Sequence, residues 1–145
     1  MSDFTVTLDL PHDPATLFHF LAEPRNRPLW QSSLRSVTAV DPGDPHPGMH
    51  WLDVTKVGVR PRMQLTELVP YRVLTETGTW GAIDGRLKLR FVKTRQGCRL
   101  TAEGRLAGRG VFKAAAAVSG RFAPETIRKD LLRASEVLSA REPSA

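Results

Sequence analysis

A single cysteine, Cys98, occurs in 145 residues, which removes intrachain disulfides and cysteine-based metal centres as organising devices. Its simplest role is that of a small strand hydrophobe. No apolar run approaches the roughly 20 residues needed to cross a bilayer. Met1 to Leu10 also lacks the basic-then-apolar order of a secretory signal, so the expected location is cytoplasmic. Nucleotide fingerprints are missing as well, since the glycine-rich stretch Gly104 to Gly110 fits neither a phosphate loop nor a dinucleotide turn. His12, His19, His46 and His50 lack the spacing of a metal site, and no serine stands in a nucleophile-elbow context. No cofactor or metal is expected. Acidic residues are scarce, 15 against 21 lysines and arginines, for a formal charge of +6. The arginines are scattered, however, from Arg25 and Arg35 to Arg109 and Arg121. That pattern reads as a solvated basic surface, and no nucleic-acid partner is expected.

What is present is ordinary for a globular chain, with 41% hydrophobic and 25% charged residues. The length fits one domain over 1–145. Phe4, Val6, Leu8 and Leu10 alternate with Thr5, Thr7 and Asp9, which predicts a half-buried strand closed by Pro11. Asp13 before Pro14 is an N-cap followed by a first-turn proline, and Leu17, Phe18 and Leu21 give the short helix its apolar face. Pro24 to Gln31 reads as a turn or one-turn helix carrying Trp30. An extended stretch from Leu34 meets a loop rich in proline and glycine at 42–48. Five strand-like segments follow: Met49–Val57, Arg62–Val69, Arg72–Trp80, Arg86–Lys93 and Cys98–Ala107. Their short connections imply an antiparallel meander. Leu87, Leu89 and Phe91 are expected inward, with Arg86, Lys88 and Arg90 in water.

The last segment, Val111 to Arg141, is the one run long and periodic enough for a major helix. Phe112, Ala116, Gly120, Ala123, Ile127, Leu131, Ala134 and Leu138 fall on one stripe. The stripe is small in its middle, which implies either a close backbone approach or a cavity. Pro124 predicts a kink or a restart. A curved antiparallel sheet of this kind buries its apolar face against the final helix, which makes the fold class α+β.

These residues resemble the START-like or Bet v 1-like superfamily, and within it the polyketide cyclase/dehydrase and lipid-transport group. Leu17, Phe18 and Leu21, then Pro28 and Trp30, look like that family's opening helix and tryptophan. Pro47-Gly48 resembles the glycine before its third strand. Glu67, Pro70, Arg72 and Leu74 look like its Glu-x-x-Pro-x-Arg-x-Leu turn, and Gly97 to Thr101 is similar to its Gly-Thr-x-Leu-Thr strand entry. Cys98 departs from the threonine of that entry, and Pro124 interrupts a helix that is commonly continuous. The resemblance implies a helix-grip fold: a curved antiparallel sheet of about seven strands wrapped around the long C-terminal helix, with two short helices after the first strand. It also implies a mostly apolar cavity between helix and sheet.

The partner implied is a hydrophobic small molecule, a lipid or polyketide-like compound, bound for carriage. Two other readings stand beside it: a cyclase, aromatase or dehydratase working by acid–base catalysis, and an interaction module with a basic surface. Monomer and homodimer are both compatible with the sequence. If Met63 and Leu65 face inward, period two carries Glu67 inward as well, where burial would raise its pKa and fit it for proton transfer. Its alternative is a salt bridge to Arg72 at the strand end. His50, beside Trp51 and Asp53, is the second candidate proton carrier. The expected ligand lining is Trp30, Trp51, Met63, Leu65, Thr75, Thr77, Leu87, Leu89, Phe91 and Leu100 from the sheet side, and Phe112, Ala116, Gly120 and Ala123 from the helix. Asp53 and Thr55 on the Trp51 face, like Thr75 and Thr77 on the neighbouring strand, are either further orienting groups or solvent-facing residues, since neither strand has a decisive pattern.

Overall fold

Alternation decides which side of each strand is dry. In the computed structural model, which describes residues 2–108 and 124–141, β1 (Ser2–Leu10) buries Val6, Leu8 and Leu10 and turns Thr5, Thr7 and Asp9 to solvent. The remaining strands are β2 (Leu34–Thr38), β3 (His50–Thr55), β4 (Arg62–Val69), β5 (Val73–Trp80), β6 (Ile83–Thr94) and β7 (Gly97–Ala107). They form one antiparallel sheet in the order β1-β7-β6-β5-β4-β3-β2. The meander puts the 56–61 and 81–82 turns at one end, together with the exit from Ala107. The 70–72 and 95–96 turns and the β2–β3 loop lie at the other.

The inner face is built in cross-strand rows. One runs Leu68, Leu74, Leu89, Ala102, Val6, and another runs Phe91, Leu100, Leu8. Gly104 leaves room on the inner face of β7, and the ring of its partner Phe4 fills it: a Cβ there would lie 2.2 Å from the ring. Cys98 is fully buried, and burial raises the pKa of its thiol, as expected of a strand hydrophobe.

Helix α1 (Pro14–Ala22) is capped by the Asp13 carboxylate, which accepts from the Ala15 N–H at 3.1 Å, and it buries Leu17, Phe18, Phe20 and Leu21. A 3-10 turn (Pro24–Asn26) leads into α2 (Arg27–Trp30), and the C-terminal helix is α3 (Pro124–Arg141). On α3 the residues Ile127, Leu131, Ala134 and Leu138 face the core as their spacing predicted. Phe112, Ala116, Gly120 and Ala123, and any kink on the N-terminal side of Pro124, lie outside the described residues. Near its C-terminus α3 covers His12, whose Nε2 is 3.1 Å from both the carbonyl and the hydroxyl oxygen of Ser135. This histidine is buried in the helix seat.

Two strand faces differ from expectation. In β4 the register shifts between Leu65 and Glu67, leaving Thr66 as an extra residue. A bulge of this kind reverses the alternation beyond it, so Leu68 packs against the core and Glu67 lies on the outer face. In β5 the inward set is Leu74, Glu76 and Gly78, which leaves Thr75 and Thr77 on the outer face with Glu67 and Gln64.

Candidate functional site

The inner face carries one group of charges. Along the row Leu65, Glu76, Leu87, Gly104, Phe4, a carboxylate stands between two buried leucines near the middle of the sheet. Its counter-ion comes from α2. Arg27 opens that helix and is only 1% exposed, because the turn at Pro24 and the fixed φ of Pro28 aim the first residue of α2 at the sheet. The guanidinium grips Asp53 of β3 with two bonds, Nε to Oδ1 at 3.1 Å and Nη2 to Oδ2 at 3.0 Å. Nη1 donates to Glu76 Oε2, and Nη2 also donates to Gln31 Oε1 at 3.3 Å. Trp51 completes the cluster: its indole N–H donates to Asp53 Oδ1 at 2.9 Å, and its ring lies 5.1 Å from the Arg27 guanidinium carbon.

Burial opposes the charge of Arg27, but the carboxylates of Asp53 and Glu76 outweigh it and hold the guanidinium above its ordinary pKa. A cation held by a bidentate carboxylate is fixed in orientation as well as in charge. Asp53 is wholly enclosed, whereas the Glu76 side chain keeps 12% of its surface accessible. Glu76 is therefore the member of the cluster open to another molecule. Trp30, beside Arg27 on α2, is buried with its indole N–H lacking an acceptor among the described residues. Among those residues no group of three histidine, cysteine or carboxylate side chains is placed to hold a metal.

Trp51, Met63, Leu65, Leu87, Leu89, Phe91 and Leu100 are buried and inward, as the sequence placed them, and Trp30 is buried in α2. Thr75 and Thr77 are on the outer face. His50 points outward, its side chain 61% exposed beside Asp41, because Trp51, Asp53 and Thr55 take the inward positions of β3. Glu67 accepts from the Thr75 hydroxyl at 2.9 Å and lies 3.5 Å from Lys88. The partner foreseen at Arg72 is replaced by these two. The hydroxyl and then Lys88 hold the Glu67 carboxyl below its ordinary range, which reverses the raised pKa anticipated for it. Glu67 is thus ionised throughout the neutral range, and its interactions weaken only as pH falls below the usual carboxylate region. Glu67→Gln will leave a ligand-binding pH profile between about pH 5 and 8 superimposable on that of the parent, as measured by dye titration. A shifted profile would mean that the carboxyl titrates there.

Arg27 and Glu76 escaped the sequence reading. The two-residue repeat puts Glu76 on the Leu74 face of β5, but nothing in that strand's sequence marks this face as the inner one. Arg27 sits in a stretch with no periodicity at all.

A family model described as polyketide cyclase/dehydrase and lipid transport matches residues 1–139. Among solved structures, protein MLL2253 from Mesorhizobium loti superposes with a TM-score of 0.75 at 16% identity, covering 98% of this chain and 100% of that one. DR_A0006 from Deinococcus radiodurans gives 0.68 at 15% identity, covering 98% and 100%. DynU16, assigned to the dynemicin biosynthetic locus, gives 0.68 at 12% identity over 97% of this chain and 48% of its own. At these identities the likeness is one of fold. No curated protein gives a significant sequence match.

Proposed function

The chain belongs to the polyketide cyclase/dehydrase and lipid transport family, and on that premise we propose that it binds and carries a hydrophobic small molecule, lipid or polyketide-like, between the C-terminal helix and the inner face of the sheet. The observation that carries this reading is Glu76, a partly accessible carboxylate set between Leu65 and Leu87 in an otherwise apolar row. Apolar walls supply affinity, and a few fixed polar groups orient the ligand. Asp53 engages two nitrogens of Arg27, so the cation is anchored and Glu76 is left as the acceptor for a ligand hydroxyl.

The test uses two probes of equal chain length, a fatty alcohol and the matching fatty acid. The alcohol binds more tightly, because it donates to Glu76 whereas a carboxylate is repelled. Glu76→Gln weakens the alcohol about tenfold, the worth of one hydrogen bond to a charged group, and improves the acid. Native mass spectrometry of the purified parent finds an apolar companion. A protein that takes up neither probe saturably would overturn the carrier reading.

The family's description as polyketide cyclase/dehydrase supports a second reading, cyclisation or dehydration of a polyketide-like chain. Glu67 and His50, the two proton carriers nominated by sequence, are on the wrong face of the sheet to reach such a ligand. In this reading the proton is taken by Glu76, and its carboxylate is the group whose loss abolishes turnover.

A further inference from the structure

We propose that the end of the sheet carrying the 56–61 and 81–82 turns docks onto the surface of a bilayer containing anionic lipid. This inference stands on that end alone and is independent of which ligand the inner face takes. Val57, at the tip of the β3–β4 turn, is 86% exposed, and Trp80, at the entry to the β5–β6 turn, is 41% exposed. The meander brings both to one end of the molecule. The β3–β4 turn juts outward: a Cβ at Gly58 would meet nothing within 4 Å. A lone exposed valine is unremarkable, but a protruding valine and a tryptophan at one end form an apolar tip. Tryptophan suits the headgroup level of a membrane, where a flat apolar body with one N–H finds both environments.

The charge around this tip completes the surface. Lys56, Arg60, Arg62 and Arg86 are exposed and take part in no ion pair among the described residues. Lys88 pairs with Glu67, Arg90 with Glu103, Arg99 with Asp9 and Arg105 with Asp3, whereas Arg72 and Arg95, in the turns of the opposite end, are exposed and also in no ion pair among the described residues. Among the described residues the exposed acids at this end are Asp84 and Asp3, and Asp3 is taken up by Arg105. The opposite end also exposes Tyr71 and Val92, but there Asp44 lines the adjoining surface and Lys93 is taken up by Asp13 at 2.7 Å. A protruding apolar tip ringed by cations with long flexible stems fits a soft, negatively charged interface. A folded acidic protein would need a recess to receive the tip.

The experiment is co-sedimentation with vesicles of equal parts phosphatidylglycerol and phosphatidylcholine, beside vesicles of phosphatidylcholine alone. The full-length parent binds the anionic vesicles, release follows added salt, and emission from Trp80 shifts to the blue, its two fellow tryptophans being buried already. The double substitution Lys56→Gln with Arg60→Gln weakens binding about thirtyfold. The same charge removed at the opposite end, Arg72→Gln with Arg95→Gln, leaves it unchanged, and thermal melting confirms that both variants fold. Val57→Asp weakens binding as well. Equal loss from both double variants, binding to neutral vesicles alone, or no vesicle binding would overturn the proposal. So would capture of duplex DNA that needs Lys56 and Arg60 but is indifferent to Val57→Ser, since the tip would then be a nucleic-acid surface.

Discussion

Arg27→Leu will cost the protein about 3–5 kcal/mol of folding stability, the usual penalty when one partner of a buried ion pair is removed and the other stays. Two carboxylates are stranded at once, Asp53 in full enclosure and Glu76 nearly so. They must then be protonated or draw in water. A small domain has about 5–15 kcal/mol in all, so the variant will be marginal, and urea midpoints will report it. The diagnostic partner is the triple variant Arg27→Leu, Asp53→Asn, Glu76→Gln, which removes the cluster's charges among the described residues and recovers much of the loss. Arg27→Lys falls between the two, because an ammonium keeps the charge but cannot form the fork with Asp53. Parent-like stability of the single variant would mean that these carboxylates are hydrated in solution.

Gly97→Ala will produce the second large loss, about 3 kcal/mol or more, through backbone sterics. Gly97 has φ +154°, and a Cβ built on it lies 2.2 Å from the Leu10 carbonyl oxygen, 2.7 Å from the His12 nitrogen and 2.9 Å from the Pro11 carbonyl carbon. All three are main-chain atoms, so no rotamer change relieves the overlap. The end of β1 must part from the start of β7 where Leu10 pairs with Cys98. Amide exchange will show that separation as lost protection in both strands. Gly43→Ala is the control: its φ of +91° is also left-handed, but its Cβ meets nothing within 4 Å. It will cost only the local strain of about 1 kcal/mol. Similar losses at both glycines would rule out the close approach as the cause.

Most of the fold was legible because it depends on periodicity. Leu87, Leu89 and Phe91 alternate cleanly with basic residues, and the stripe from Ile127 to Leu138 has one helical reading. Asp13 and Pro14 marked the start of α1 through local chemistry alone. The site was harder, because each of its members is a local exception. Arg27 is a charge among prolines, and only tertiary packing makes it the centre of a buried cluster. Asp53 was visible as a residue on the Trp51 face, but what it grips lies 26 positions away. Thr75 and Thr77 looked like orienting groups because β5 has polar residues on both faces, so its sequence gave no sense of which side was dry. His50 was chosen for its neighbours in sequence, and in a strand the adjacent residue is on the opposite side.

The extra residue at Thr66 bears on how chains of this kind should be aligned. Glu67 begins a Glu-x-x-Pro-x-Arg motif, and the bulge just before it sets the face on which that glutamate lies. A relative that kept every letter of the motif and lacked one residue upstream would turn the same carboxylate toward the core and Leu68 toward water. The motif is therefore a marker of the turn it enters, and its glutamate can be assigned to a lining only after the residues between Met63 and Glu67 have been counted.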